Sequence, residues 1–286
     1  MKIGETQNEL RVCFIAYADI LGYSERIQNC KNDYGLLKTE LDVFKSKILE
    51  HQTLLTESIE SLQGTVSFFS DSVYVHVPIA SRTPKSFDDG RVHICIPIQN
   101  LGRYQFDLAI QDIFIRGGAT INYGYVDDSI AFGPGLIHAV ECEKSAEYPR
   151  ICLTDDWAMK PIRHYIDNGW PGDERINKFV LRSEDGKFFI NYLYTVVDNI
   201  EDNCEMIPDE MKEYPLYLNV PEEIDSLKKH KENIELNLKG LKDTSIVSKF
   251  VWLANYHNYF CKKHFKDLEY LIITGYQGKF YPISSE

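Results

Sequence analysis

The amino-acid sequence predicts an α+β fold that is followed by a C-terminal helical extension. Short apolar runs rich in β-branched and aromatic residues, which are typical of buried strands, alternate with longer segments of helical periodicity. With 286 residues, of which 44% are hydrophobic, the chain can bury a sizeable core without disulfide bonds. We place the main domain at residues 8–200 and the extension at residues 201–286, because the composition shifts near residue 200.

The domain is predicted to begin with a buried strand and a long helix. Residues 11–18 are a short apolar run that predicts a strand, and Gly22 ends it. Residues 33–60 are predicted as a helix, because their apolar residues recur at spacings of four and three and form one stripe. The stripe consists of Leu37, Leu41, Phe44 and Ile48.

A hairpin and a second helix are predicted next. Valines alternate after Ser70-Asp71-Ser72, which predicts a β-hairpin over residues 65–78 with its tight turn at these three residues. A helix is predicted over residues 94–113, with Pro97 tolerated in its first turn. The chain then returns as a strand over residues 116–124.

The rest of the domain is predicted to alternate strands and helices. A short strand at residues 130–132 leads into a helix that carries Ala139 and Glu143. Further strands are predicted at residues 150–154 and 187–197, with a helix near residues 155–167 between them. Together with the first half, this order is typical of an α+β sandwich.

The extension is predicted to be an acidic loop followed by two helices, one from Pro221 and one over residues 245–266. Its apolar stripe is expected to pack on its own domain or, alternatively, on a dimer partner. The stripe consists of Ile224, Leu227, Ile234, Leu238 and Leu241.

Charge and cysteine content limit the classes of partner. A net charge of −12 argues against binding to a nucleic-acid backbone, which depends on many Lys and Arg contacts. No apolar stretch approaches the length of a membrane span, and the first residues do not form a signal peptide. The seven cysteines form no CxxC pair, so we expect reduced thiols and a cytoplasmic protein without nucleic-acid or membrane partners.

Two aspartates carry most of the chemical information. Asp19 follows the first predicted strand, and Asp71 lies in the predicted hairpin turn. Phosphoryl chemistry with two metal ions needs such a pair, since acidic side chains on rigid elements hold two divalent ions about 3.5–4 Å apart. Mg²⁺ and Mn²⁺ both favour carboxylate oxygen. The alternative is structural: Asp19 caps a helix, and Asp71 is an ordinary turn residue.

The surroundings of both aspartates resemble the catalytic domain of class III nucleotidyl cyclases. In that family a metal-binding Asp ends the first strand in a motif similar to Asp19-Ile20-Leu21-Gly22-Tyr23-Ser24, and a second lies in the next hairpin, as in Ser70-Asp71-Ser72. A later signature resembles Arg116-Gly117-Gly118 with Gly124, followed by Phe132-Gly133. The resemblance implies a ferredoxin-like βαββαβ core and a nucleotidyl cyclase catalytic domain over residues 8–200.

The resemblance also implies roles for individual residues. The carboxylates of Asp19 and Asp71 and the main-chain carbonyl of Ile20 would hold two Mn²⁺ or Mg²⁺ ions in each site. Main-chain amides at the turn into the first helix would meet phosphate oxygens, because N–H groups at a helix start are unpaired. These amides belong to Leu21, Gly22, Tyr23 and Ser24.

Several positions depart from the purine cyclases of the class. Ser67 stands where a base-reading Lys is usual, and Ile130 stands where adenine is usually read. Ile137 and Glu141 replace the Asn and Arg that usually stabilise the transition state. The order of motifs is similar to the pyrimidine cyclases of Pycsar antiphage systems, and this similarity covers residues 11–260.

That branch implies a homodimer with composite sites that converts UTP or CTP to cyclic UMP or cyclic CMP, which a separate effector reads. Ser67 and the bulky Phe69 are candidates for contact with the smaller base. Arg116 either binds substrate or a partner subunit, or makes a structural ion pair. Lys187 either binds phosphate or belongs to a plain hairpin turn. Two alternatives remain open, namely a catalytically silent nucleotide-sensing module and a divergent purine cyclase.

Overall fold

The computed structural model describes residues 10–79, 92–127, 129–160, 162–163, 174–204, 221–240 and 244–283. The strands are β1 Arg11–Ile20, β2 Thr65–Phe69, β3 Ser72–Pro78, β4 Ile115–Val126, β5 Ala131–Phe132, β6 Ile151–Leu153, β7 Val180–Ser183, β8 Phe188–Ile190 and β9 Phe280–Pro282. The helices are α1 Tyr23–Cys30, α2 Tyr34–Ser61, α3 Val92–Ala109, α4 Pro134–Ser145, α5 Glu174–Phe179, α6 Tyr194–Cys204, α7 Pro221–Gly240 and α8 Thr244–His264.

The strands form one sheet in the order β2-β3-β1-β4-β6-β8-β7-β9, and the short β5 pairs with β4. Strand β1 lies antiparallel to both β3 and β4, while α2 connects β1 to β2 and α3 connects β3 to β4. The order β2-β3-β1-β4 with these crossovers is the split βαβ arrangement of ferredoxin-like folds. The predicted α+β fold with a ferredoxin-like core is therefore confirmed.

Strand β1 is covered on both faces, which explains why its sequence is a nearly continuous apolar run. Phe14, Ala16 and Ala18 belong to the same buried cluster as residues of α2 and α3. On the opposite face, Cys13 and Ile15 pack with Ala139 of α4. The end of β1, where Asp19 lies, is thus held between two layers of helices.

The predicted hairpin over residues 65–78 and the predicted helix over residues 33–60, which is α2, are confirmed. Asp33 caps α2 by accepting hydrogen bonds from two main-chain amides. One detail of the next helix is wrong: α3 is described from Val92, so Pro97 lies beyond its first turn. Proline removes one main-chain hydrogen bond from a helix. The helix persists because Ile94, Ile98 and Leu101 bury its apolar face in the core.

The predicted strand over residues 187–197 is also wrong. Only β8 is extended, and the chain turns at Asn191, whose carbonyl accepts a hydrogen bond from Tyr194 N at 2.9 Å before α6 begins. Tyr192, Leu193 and Tyr194 are all buried, so this segment is a continuous apolar run. Such a run does not distinguish a buried strand from other buried structure. Strand β7 was not predicted. Of the helix predicted near residues 155–167, a π-helical turn spans Asp155–Met159, and residues 161 and 164–167 lie outside the described residues.

The extension contributes a strand as well as helices. Strand β9 pairs antiparallel with β7, and apolar residues of α7 and α8 belong to the same buried cluster as the domain core. The boundary placed between residues 200 and 201 falls inside α6, and most of the predicted acidic loop lies outside the described residues. Within the described ranges, no helix has the length and hydropathy needed to span a bilayer.

Candidate active site

Asp19 and Asp71 come together at one end of the central sheet. Asp19 is the second-to-last residue of β1, where it pairs with Ser72 on β3 and with Arg116 on β4. Asp71 lies in the β2–β3 turn, and its carbonyl accepts a hydrogen bond from Ile20 N at 3.0 Å. This hydrogen bond ties the hairpin turn to the end of β1. The fold therefore brings both predicted metal-binding carboxylates to the same place.

An arginine and a third carboxylate complete the polar cluster. The Nη2 atom of Arg116 lies 3.6 Å from Oδ2 of Asp19 and forms a closer ion pair with Glu143 of α4. Burial raises the pKa of the Asp19 carboxyl, and the nearby Arg116 opposes this rise. Burial and the charge of Asp19 likewise raise the pKa of the Glu143 carboxyl. The cluster thus holds several carboxylates close together with one guanidinium between them.

Helix α4 reaches this cluster because Gly118 lets it approach β4 closely. A Cβ atom on Gly118 would lie 2.5 Å from both Cys142 Cβ and Glu143 N, a distance that real Cβ contacts do not show. Gly117 is equally confined, since a Cβ atom there would lie 2.7 Å from Ala18 Cβ. Ala139 and Glu143 are one helical turn apart on the face that meets the sheet.

One oxygen of Asp19 is suited to a metal ion. Its Oδ1 atom is buried and has no hydrogen-bond partner among the described residues, although a buried carboxylate oxygen normally has one. The charge of Asp71 further raises the pKa of Asp19, so the two carboxylates lie within electrostatic range. Among the described residues, no three His, Cys, Asp or Glu side chains form a complete metal-binding group. A site here would rest on two carboxylates and main-chain oxygen.

The loop after β1 offers fewer free amides than predicted. The Leu21 amide already donates a hydrogen bond to the carbonyl of Phe114 at 2.8 Å, so it is not available to a phosphate. Gly22 then adopts a left-handed conformation with φ of 76° and precedes α1 without a side-chain cap. The amides of Tyr23 and Ser24 open α1, where N–H groups lack partners within the helix. Of the four amides predicted to bind phosphate, those of Gly22, Tyr23 and Ser24 are placed to bind an anion.

Of the remaining predicted site residues, Phe69 borders the hairpin turn that carries Asp71, since it pairs with Ser72, whereas Lys187 lies elsewhere in the fold. Ser67 and Phe69 are exposed on the same face of β2, the edge strand of the sheet. Lys187 lies in the β7–β8 turn, and its ammonium contacts the carbonyl of Ser145 at the end of α4. It lines a groove with His138, Glu141 and Thr154 rather than with the aspartates.

Glu143 was not assigned a role from the sequence. The available signal was the pair Ala139 and Glu143, a small residue and a carboxylate four positions apart on one helix face. That spacing places both against the sheet, but it does not identify Arg116 as the partner, since their contact depends on how α4 docks on β4.

Several solved structures are similar to this chain at low sequence identity. The adenylyl cyclase CyaB from P. aeruginosa is 12% identical with a TM-score of 0.39, over 64% of this chain and 94% of that chain. An adenylate/guanylate cyclase/hydrolase from Silicibacter pomeroyi is 20% identical with a TM-score of 0.38, over 57% and 86%. The catalytic core of a rhodopsin-guanylyl cyclase with converted specificity is 12% identical with a TM-score of 0.39, over 63% and 96%.

No protein-family description matches the sequence, and no curated protein matches it. The structural similarities are too weak to assign an activity, so function must be inferred from the site itself.

Proposed function

We propose that the chain is a metal-dependent pyrimidine nucleotide cyclase that converts UTP or CTP to 3′,5′-cyclic UMP or cyclic CMP and pyrophosphate. The observation that supports this most is the convergence of Asp19 and Asp71, with Oδ1 of Asp19 buried and unpaired. Two such carboxylates have little physical reason to lie together without a cation, because like charges repel. The choice of a pyrimidine base and a role in antiphage defence rest on the resemblance of the motifs.

Asp19, Asp71 and the carbonyl of Ile20 would hold two Mn²⁺ or Mg²⁺ ions. When bound, such ions lower the pKa of the ribose 3′-hydroxyl and neutralise charge on the triphosphate. The chain supplies rigidity: β1 is fixed between β3 and β4, and the Asp71 turn is tied to Ile20 by a main-chain hydrogen bond. Holding the carboxylates in place before substrate arrives reduces the reorganisation that the reaction requires.

Arg116 and the start of α1 would bind the phosphates. The Nε atom of Arg116 is buried without a hydrogen-bond partner in the described structure, so it can still donate to a phosphate oxygen. Glu143 holds the other end of the guanidinium, which fixes its direction. The amides of Tyr23 and Ser24 add donors at the positive end of the helix. Both readings of Arg116 from the sequence, ion pair and substrate contact, are compatible with this geometry.

A second copy of the chain would complete the site. Aromatic and aliphatic side chains on β4, at and just before β5, and at the start of α4 are at least half exposed, which is typical of a surface that meets another protein. They are Tyr123 at 53%, Ile130 at 50%, Phe132 at 59% and Ile137 at 59%. In a homodimer with composite sites, the groove around Lys187 on one copy would face the aspartates of the other. Ser67 and Phe69 would contact the base.

The test is incubation of the purified protein with Mn²⁺ and each of the four nucleoside triphosphates, followed by chromatography and mass spectrometry. We expect cyclic UMP or cyclic CMP with equimolar pyrophosphate, and no product without divalent metal. A matched control is Asp71→Asn, which keeps the size of the side chain but removes its charge. Full turnover by that variant would show that the two-metal assignment is wrong.

The same experiment separates the alternatives. Cyclic AMP or cyclic GMP as the main product would support a divergent purine cyclase. Binding of a triphosphate without any cyclic product would support the silent nucleotide-sensing module. Ile137 and Glu141 favour this alternative, because neither side chain can replace a transition-state Asn or Arg. A folded dimer that neither binds nor converts any of the four nucleotides would refute all three readings.

A further inference from the structure

We propose that Lys249, on the C-terminal helix α8, binds the triphosphate of the nucleotide whose metal ions Asp19 and Asp71 hold in the same chain. This inference rests on the proposed function and adds a substrate-binding residue from outside the ferredoxin-like core.

The packing of α8 places Lys249 near the metal-binding end of β1. Its neighbour Phe250 is buried, and the ring of Phe250 meets the ring of Phe114 edge-to-face with centroids 5.2 Å apart. The carbonyl of Phe114 accepts the hydrogen bond from Leu21 N that fixes the loop after Asp19. Phe250 therefore packs α8 against the residue that fixes this loop, and Lys249 is the adjacent residue on the same helix.

Among the described residues, nothing occupies the ammonium of Lys249, so it is available to bind an anion. It is partly exposed and forms no hydrogen bond or ion pair within the described part of the chain. Lysines on α2 and α7 are engaged, since Lys47 donates to the carbonyl of Gln111 and Lys231 donates to the carbonyl of Tyr270. A lysine without a partner at this place can donate its three N–H groups to an incoming anion.

The excess negative charge of the site favours a further positively charged side chain beside the triphosphate. Even with two divalent ions bound, the carboxylates of Asp19, Asp71 and Glu143 and an added triphosphate carry more negative charge than the ions and Arg116 neutralise. The ammonium of Lys249 lies within electrostatic range of the Asp19 carboxylate. Because Lys249 repels metal ions while attracting phosphate, its loss should act on the two ligands in opposite directions.

The experiment measures binding rather than turnover. The probes are 3′-deoxy-UTP and 3′-deoxy-CTP, which cannot cyclise because they lack the 3′-hydroxyl, together with UMP and CMP and with Mn²⁺ alone. Calorimetry compares the wild type with Lys249→Met, Lys249→Arg and Lys262→Met. Lys262 is an exposed lysine in the last turn of the same helix and serves as the matched control. Thermal melting confirms that each variant is folded.

We expect Lys249→Met to weaken triphosphate binding by about 10-fold, the effect of losing one charge-assisted hydrogen bond. Monophosphate affinity should stay unchanged, Mn²⁺ affinity should stay unchanged or rise, and Lys249→Arg should recover most of the triphosphate affinity. Wild-type triphosphate affinity in Lys249→Met, or equal losses for triphosphate and monophosphate, would overturn the inference while leaving the proposed function intact. A wild-type protein that binds neither triphosphate with Mn²⁺ would overturn both.

Discussion

Acidification from pH 7 to pH 5 should weaken the packing of the C-terminal helices, because two neutral histidines are buried between them. Tyr192 OH bonds to His230 Nε2 at 2.8 Å, and His230 Nδ1 bonds to His257 Nδ1 at 3.0 Å. His257 Nε2 must donate to the carbonyl of Leu271 at 2.9 Å, since a carbonyl only accepts. This fixes the tautomers: His257 Nδ1 accepts, His230 Nδ1 donates, and Tyr192 donates to His230. His257 cannot take a further proton without breaking this chain, because its Nδ1 would then face the N–H of His230.

The magnitude follows from the pKa of His257. Burial lowers this pKa to about 4, against an unfolded value of ~6.5. A base whose pKa is lowered by folding contributes its full stability above the unfolded value and loses that contribution as the pH falls towards the folded value. Between pH 7 and pH 5, His257 alone should therefore cost about 2 kcal/mol of unfolding free energy. Burial also lowers the pKa of His230, so it acts in the same direction.

The assay is urea unfolding at pH 7, 6 and 5, followed by circular dichroism, for the wild type and for His257→Gln. The variant cannot titrate, so it should be less stable at pH 7 but should lose about 2 kcal/mol less than the wild type on going to pH 5. His230, His264 and His76 also have lowered pKa values and contribute to the remaining slope. Equal pH dependence in wild type and variant would show that the histidine pair is not the source.

Three further outcomes are expected. Asp71→Asn should lower turnover with Mn²⁺ by about 100-fold or more, because it removes charge that holds the metal ions; initial rates of pyrophosphate release measure this. Gly118→Ala should destabilise the protein by about 1–3 kcal/mol in urea unfolding, because its methyl group would collide with α4. Ser67→Ala should alter the ratio of cyclic UMP to cyclic CMP formed from mixed substrates; an unchanged ratio would remove Ser67 from base recognition.

Patterns of residues close in sequence predicted the two aspartates of the site and the elements that carry them. The apolar run of β1, the stripe of α2 and the hairpin at Asp71 are each specified by residues close in sequence, so both aspartates could be placed at the ends of strands. The split βαβ order then brings these ends together, because β1 lies beside β3. The resemblance of the motifs added the expected order of the elements.

Contacts between distant segments could not be predicted in the same way. The Arg116–Glu143 ion pair depends on how closely α4 docks on β4, and β9 pairs with β7 across about a third of the chain. The Leu21 amide was expected to be free, but it is taken by Phe114, which lies on the approach to β4. In each case the sequence shows which groups need partners but not which partners the fold supplies.

The C-terminal extension packs against the elements that carry the candidate active site. Strand β9 completes the sheet next to β7, and the histidine chain joins α7 and α8 to Tyr192 beside β8. At the other end of α8, Phe250 supports Phe114, which in turn fixes the loop after Asp19. A change that loosens α8 should therefore reach the metal-binding loop through packed side chains, because a close-packed interior transmits strain. The position of Asp19 is thus determined partly by residues more than 200 positions away in the sequence.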